Sequence, residues 1–411
     1  MPAVAGLRGT GDWGTDERPK SFRENILWQR PNGTAPIFGL TSKSKSITKN
    51  DPEFSWWTET QTIIQLQSSL AHLAADTIIT VDSTDPDITD MKKNYGTAKH
   101  LKAGDLLMVE PLADAVSLVY EILIVKEVLS DTQVLVQRGA AGTTPAAIAN
   151  DQFLLVIGSA YAEGTGIPPA VSNNPVKYMN LIQIFKDTYE LTGTADVTHA
   201  RTGDAWSNDK KRQSFNHAQK IEHAILYGKR HETVGDNGKP LRFMGGIRSM
   251  IPAGNQTVFA APVTITSLMN AISPIYDFST DAGNTRLAFG GNAAMMALNT
   301  LFSNAANVNY NYDKKLTMYG IDFTEFVMPR GRILFYSHPL LSRDSVFSKS
   351  MYLLDFSNIS YVTLPGRDTR TKDDVQLKSE DVRRGFIQTD CSIMVDAGGL
   401  SQGYLGNIQV A

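Results

Sequence analysis

Apolar and polar positions alternate most cleanly near the end of the chain, in DVRRGFIQTDCSIMV (residues 381–395). Ile387, Thr389, Cys391, Ile393 and Val395 fall on one side of an extended strand, and Gln388, Asp390 and Ser392 on the other. The pattern predicts a strand that closes a sheet over a core and keeps one polar face. From about 76 to 158 the apolar runs are short: TIITVD, GDLLMVE, LVYEILIVKEV, TQVLVQRG and QFLLVIG, with KAGD, LSDT and GAAGTTP between them. That spacing predicts a small barrel or sandwich. Two long strand-like stretches, 58–75 and 159–186, bracket this module, as they would if it were inserted at the tip of a hairpin. A two-stranded hairpin is marginal in water, so this one should lie on a neighbour.

The clearest helix is SNDKKRQSFNHAQKIEHAILYGKR, residues 207–230, with Ser207 as the expected N-cap and Gly228 near the C-terminal end. Ser214, Ala218, Ile221 and Ile225, with Phe215 beside them, make a narrow apolar stripe, so the helix should pack lightly on one side. Residues 241–345 mix shorter helices (TITSLMNAISPIYDF, NAAMMALNTLFSNA) with the strand RILFYSHPL, which predicts an α+β lobe. From 351 to 411 the chain returns to strands.

Composition changes this picture at the N-terminus. Residues 1–50 are poor in apolar side chains and broken by Gly, Pro, Ser and Lys. Ordering each residue's backbone costs about 1–2 kcal/mol, so such a segment must be held by another surface, and a neighbouring copy is the expected one; an arm wrapped on its own domain is the alternative. Trp56 and Trp57 are adjacent, hence on opposite faces of a strand, and point to packing rather than to a flat sugar-stacking platform. At 411 residues, two or more lobes are expected. A net charge of −3 argues against a dedicated nucleic-acid surface. No stretch has the length of a membrane span and no apolar signal core begins the chain, which places it in the cytoplasm or in something assembled there.

Candidate chemistry is sparse. The single cysteine, Cys391, excludes an internal disulfide and reads as a small buried hydrophobe. His217 and His223 are six apart, on different helix faces, and are expected to be solvated rather than to share a metal. DSTDPDITD (82–90) lacks the Gly and closing Glu of a calcium loop and reads as an acidic turn. RGAAGTTP has Gly139 and Gly142 but no following Lys, and reads as a β-turn rather than a phosphate cradle. Asp373, Asp374, Glu380 and Asp381 among Arg367, Arg370, Lys372, Arg383 and Arg384 predict a solvated or intersubunit salt-bridge surface. There is no G-x-S-x-G and no P-loop. No catalytic, cofactor-binding or metal-binding residue is assigned.

The order of a polar arm, a long hairpin, one long helix, an α+β lobe and return strands resembles the Hong Kong 97 fold of tailed-phage major capsid proteins and encapsulin shells. NLIQIFKDTYELTGTA, the helix 207–230, MPRGRILFYSHPLL, MYLLDFSNISYVTLPGRDT and DVRRGFIQTDCSIMV carry the resemblance. It implies an N-terminal arm (1–57), an E-loop hairpin (58–75 and 159–186) with a β-barrel-like insertion (76–158), and a P-domain (187–240 and 346–411) with helix 207–230 as its spine. The A-domain would be 241–345. The last strand would close the P-domain sheet, its polar side facing a seam between subunits or the lumen. The implied function is a non-enzymatic subunit that self-assembles, as hexamers and pentamers, into the virion's icosahedral or prolate head shell around double-stranded DNA. Implied partners are portal and possibly scaffolding or decoration proteins, with weak non-specific DNA contact, no membrane and no cofactor. Some family members lock the shell with a Lys–Asn isopeptide bond; no such set is placed here. An encapsulin-like compartment, or a cell-wall or polysaccharide-binding protein using 76–158, are the alternatives.

Overall fold

A computed structural model describes residues 35–59, 65–82, 97–110, 120–170, 175–198, 203–277, 281, 283–304, 315–318, 321–328 and 330–410. The organising element is the spine helix Ala205–Tyr227. Asp204, not Ser207, caps it: the Asp204 carboxylate accepts from the Ser207 N–H at 2.9 Å, leaving Ser207 inside the first turn. The helix ends at Gly228 because the chain crosses itself there. A Cβ on Gly228 would stand 2.5 Å from the Met244 carbonyl oxygen and 2.6 Å from that of Ala224.

The spine lies on a five-stranded sheet ordered Ser46–Thr48, Ile359–Thr363, Val382–Val395 and Gln183–Thr192, with Arg370–Lys372 also paired to Val382–Val395. The long final strand is the hub, antiparallel to Gln183–Thr192 from Gln183↔Cys391 to Thr192↔Val382 and to Ile359–Thr363 from Ile359↔Val395. Cys391, Ile393 and Val395 meet Ile221 and Ile225 of the spine in one core, as the alternation predicts. The other face is a correction: Gln388, Asp390 and Ser392 are buried too. The segment after Thr363 reaches two of them, Arg367 pairing with Asp390 and Arg370 donating to Gln388 Oε1 at 3.4 Å, while Met394 packs with Phe54 and Val362.

A second, seven-stranded sheet forms the lobe, ordered Gln256–Val258, Gly403–Gly406, Met351–Leu354, Thr285–Gly290, Gly331–Ser337, Ile321–Met328 and Lys315–Met318. Helices Ile265–Ile272 and Asn292–Asn304 cover it through Leu268, Ile272, Leu298 and Phe302. Two return strands therefore belong to the lobe sheet, because their all-apolar runs are buried on both faces inside it.

The hairpin is Glu53–Thr58 against Val176–Leu181, in register from Glu53↔Leu181 to Thr58↔Val176. Beyond it stands a six-stranded sheet ordered Gln65–Gln67, Phe153–Ser159, Asp105–Val109, Ile122–Val128, Gln133–Ala140 and Ile78–Thr80. Its first and last strands meet at a Ser68–Val81 bridge, where the Ser69 N–H donates to Thr80 O (3.0 Å) and the Asp82 N–H to Gln67 O (2.9 Å), so the sheet closes on itself. The closed sheet has a private core of Leu66, Ile79, Leu107, Leu123, Val134 and Leu154. It begins at Gln65, inside the stretch the pattern assigns to the hairpin limb.

Part of the N-terminal stretch is also tied to its own chain. Helix Pro36–Ser44 buries Ile37 and Leu40 beside the spine, and Ser46–Thr48 joins the five-stranded sheet in parallel to Tyr361–Thr363. Residues 1–34 of the expected arm lie outside the described residues.

Candidate functional site

Three elements, helix Pro36–Ser44, the spine and the lobe, meet at one buried carboxylate. Helix Pro36–Ser44 starts without a capping side chain, since Ala35 has none to offer. Its free N–H groups are taken instead by Glu222, 185 positions along the chain: Ile37 N–H donates to Oε1 at 2.9 Å and Phe38 N–H to Oε2 at 2.7 Å. His338, at the end of lobe strand Gly331–Ser337, supplies the third bond. Its Nδ1 accepts from the Leu340 N–H (3.2 Å), so the ring proton is on Nε2, which donates to Glu222 Oε1 at 2.7 Å. Glu222 and His338 are both 0% exposed. Helix Pro36–Ser44, spine and lobe are thus joined at one side chain.

Five residues earlier, His217 pins the spine to the sheet. Its Nδ1 is 2.8 Å from Asp187 Oδ2 and its Nε2 is 2.8 Å from Thr389 Oγ1, which in turn lies 2.8 Å from Thr369 Oγ1. Lys220 pairs with the other Asp187 oxygen. The Asp–His–Thr order is that of a hydrolytic triad, yet Thr389 is fully buried in mid-strand, where no substrate carbonyl reaches it. The geometry is a structural pin. The expectation that His217 is solvated is overturned: the helix buries Trp206, His217, Ile221, Glu222, Ile225 and Leu226, a stripe that includes two ionisable side chains paired inside.

At the hairpin root, Trp56 stacks between Phe54 (5.9 Å) and Tyr178 (6.1 Å), while Trp57 turns outward, 63% exposed, with the Lys177 ammonium 5.9 Å from its ring. The two tryptophans occupy opposite faces, as adjacent strand residues must. Beside them a cleft of about 450 Å³ opens between the root, the end of the spine and the segment 249–252.

The SU10 major capsid protein family matches residues 6–397. The chain belongs to that family. A similar protein is the major capsid protein of Pseudomonas phage PaMx41, 25% identical over 384 residues that cover 90% of this chain and 85% of that one. Among solved structures, the capsid of a native GTA particle aligns with 99% of this chain and 100% of its own at 10% identity and a TM-score of 0.45. The SrpI encapsulin of Synechococcus elongatus PCC 7942 aligns with 58% of this chain and 78% of its own at 9% identity and a TM-score of 0.41. The fold is α+β, and the chain is a major capsid protein.

The remaining candidates from the sequence fall into place in this capsid chain. The mixed-charge stretch is knitted within the chain: Arg383 to Asp374 (3.2 Å) and Asp196 (3.5 Å), Arg384 to Glu190 (2.7 Å) and Glu380 (3.5 Å), and Lys210 to Asp373 (2.7 Å). Those bonds from Lys210, and from the Tyr189 hydroxyl, hold the Asp373 carboxyl below its usual range. The RGAAGTTP turn has Gly139 at φ +61° and does bind an anion, its own Glu121. Glu121 accepts from Arg138 Nε (2.8 Å) and Nη2 (2.6 Å) and from the N–H groups of Gly139 (2.9 Å) and Ala146 (3.0 Å). Burial pushes its carboxyl up, but these donors outweigh it and the net shift is downward. Cys391 is buried, and burial pushes its thiol up to about 12. Among the described residues no group of His, Cys, Asp and Glu could hold a metal ion, and no helix is long and apolar enough to cross a membrane. The stretch DSTDPDITD lies outside the described residues after Asp82.

Proposed function

We propose that copies of this chain assemble as hexamers and pentamers into an icosahedral or prolate head shell around double-stranded DNA, by lending limbs to one another. The observation that carries this reading is the hairpin Glu53–Thr58/Val176–Leu181, which holds a closed six-stranded module with its own core outside the body. Two strands alone are too weak to fix such a load, so a neighbour is the natural support. In the shell, the residues up to Thr48 are the arm, with its root at Glu222, and Glu53–Thr58 with Val176–Leu181 form the E-loop limb that carries the insertion 65–159. The segments 183–240, 359–363 and 370–395 make the P-domain around the spine, and 256–337 with the returning strands Met351–Leu354 and Gly403–Gly406 the A-domain toward the symmetry axes. Each limb contact is modest, but once one engages, the others bind at high effective concentration. The net charge of −3 fits a lining that touches packaged DNA weakly and without sequence preference. The role is structural and not catalytic. Portal protein, and scaffolding or decoration proteins, would act on a shell assembled in the host cytoplasm.

Electron microscopy of the purified recombinant chain tests this. Closed particles or capsomer rings are expected, and deletion of residues 1–34 should leave soluble subunits that fail to close. Monomers that stay dispersed at concentrations well above those of assembly would refute the proposal.

A further inference from the structure

The cleft beside the hairpin root is built to take negative charge. Lys177, Lys229 and Arg230 line it with Trp56, Met250 and Pro252, and among the described residues none of its lining side chains is acidic. Among the described residues none of the three cations is in an ion pair: Arg230 donates to the Met179 carbonyl (3.0 Å) and Lys177 sits over Trp57. The Trp56 indole N–H, closed off from solvent, has no acceptor there either. Three uncompensated cations around an apolar floor fit an extended acidic peptide that also brings an apolar anchor.

The chain contains such a peptide outside the described residues. Asp12-Trp13-Gly14-Thr15-Asp16-Glu17 offers three carboxylates and one indole in six residues. The described chain begins at Ala35, beside the Pro36–Ser44 helix that Glu222 holds. Glu222 lies five positions before the last helical residue, Tyr227, roughly 7.5 Å of helix rise, and Lys229 follows two residues further on. The 18 residues between Glu17 and Pro36 can span up to about 60 Å, enough to cross to another subunit. Resting on the shell reading above, we propose that residues 12–17 of a neighbouring copy dock in this cleft, carboxylates against Lys177, Lys229 and Arg230 and the Trp13 ring on the apolar floor.

Two arms test it. First, particles are assembled from an equal mixture of chains carrying only Lys229→Cys and chains carrying only Asp16→Cys, then oxidised; a covalent dimer in this mixture can arise only between copies. The dimer is expected. Intact particles with no bond would overturn the docking, and a bond that forms only within a chain carrying both substitutions would overturn the neighbour as its source. Second, Lys177→Glu with Lys229→Glu, and separately Asp16→Lys with Glu17→Lys, should each lower particle yield at least several-fold in 0.3 M salt, and combining all four should restore most of it. Losses that merely multiply would sink the pairing even if the cysteine chains assemble poorly. If the unsubstituted chain forms no particles at all, the shell reading fails, and that result is distinct from intact particles lacking the bond.

Discussion

Replacing Glu222 tests the joint on which the arm, spine and lobe converge. In Glu222→Gln one amide oxygen can replace Oε1, keeping the bonds from Ile37 N–H and His338 Nε2–H, but the amide NH₂ then faces the Phe38 N–H, donor against donor. Flipping the amide is worse. His338 cannot answer by changing tautomer, because its Nδ1 is committed to the Leu340 N–H. One buried donor left unmet costs about 1–3 kcal/mol, so a loss of about 2 kcal/mol is expected. Glu222→Ala strands all three donors, one of them on a wholly buried imidazole, and opens a cavity as well, which raises the loss to about 3–5 kcal/mol. Against a total stability of about 5–15 kcal/mol, the second value threatens the fold. Urea unfolding of unassembled subunits gives both numbers from the shift in midpoint at constant slope. Limited proteolysis between residues 30 and 50 reports whether helix Pro36–Ser44 comes loose before the body does. A Gln variant as stable as the parent, or an Ala variant milder than Gln, would show that Glu222 is not the seat of this helix.

Acid should attack the inserted module through Glu121. Its carboxyl is held below the ordinary value, so its stabilising share is complete above about pH 4.3 and is lost as pH falls through the folded value. Arg138→Met should weaken that dependence, leaving only the Gly139 and Ala146 N–H groups on the carboxylate, while costing about 3–5 kcal/mol at pH 7 by breaking a buried ion pair; unchanged acid sensitivity would argue against the pair. Cys391, with its thiol pushed up to about 12 and its side chain buried, should resist iodoacetamide at pH 8 until the subunit is unfolded, and Cys391→Ala should cost about 1 kcal/mol; rapid native labelling would contradict the packing. Excising 65–159 and joining the hairpin strands with a short turn should leave the unfolding midpoint of the body within a few degrees, because the module keeps a separate core; a globally unfolded product would show that the two cores depend on each other.

What the sequence discloses and what it conceals divide along a physical line. Periodicity reports which way a side chain points, so it locates the spine helix, the short strands of the insertion, and the apolar side of Val382–Val395. It cannot report that the polar side of that strand is covered as well. That depends on Arg367, 23 positions earlier, folding over Asp390. The same limit explains the missed joint. His217 and Glu222 look like solvated helix positions because their partners, Asp187 with Thr389 and the Ile37 and Phe38 N–H groups with His338, are remote in sequence. One local signal was available: helix Pro36–Ser44 opens with Pro and lacks a capping residue, which means its free N–H groups need an acceptor from elsewhere. Strand assignment to lobe or body was equally hidden, since Met351–Leu354 and Gly403–Gly406 are short apolar runs that would suit either sheet.

The placement of the two polar contacts explains why a shell subunit would bury charge beneath its main helix at all. Apolar packing alone holds a helix against a sheet but lets it roll, since neighbouring rotations bury similar area. His217 and Glu222 are five residues apart, about 500° of helical turn, and so stand roughly 140° apart around the axis. One points to the sheet through Asp187 and Thr389, the other to the arm root and the lobe. Any roll that shortens one set of bonds breaks the other, and each broken bond leaves a buried donor or charge unmet. A single rotation of the spine therefore sets the placement of helix Pro36–Ser44 and the attitude of the lobe together. In the proposed shell, where copies would present their limbs at matching angles, directional bonds of this kind supply an accuracy that undirected apolar contact does not.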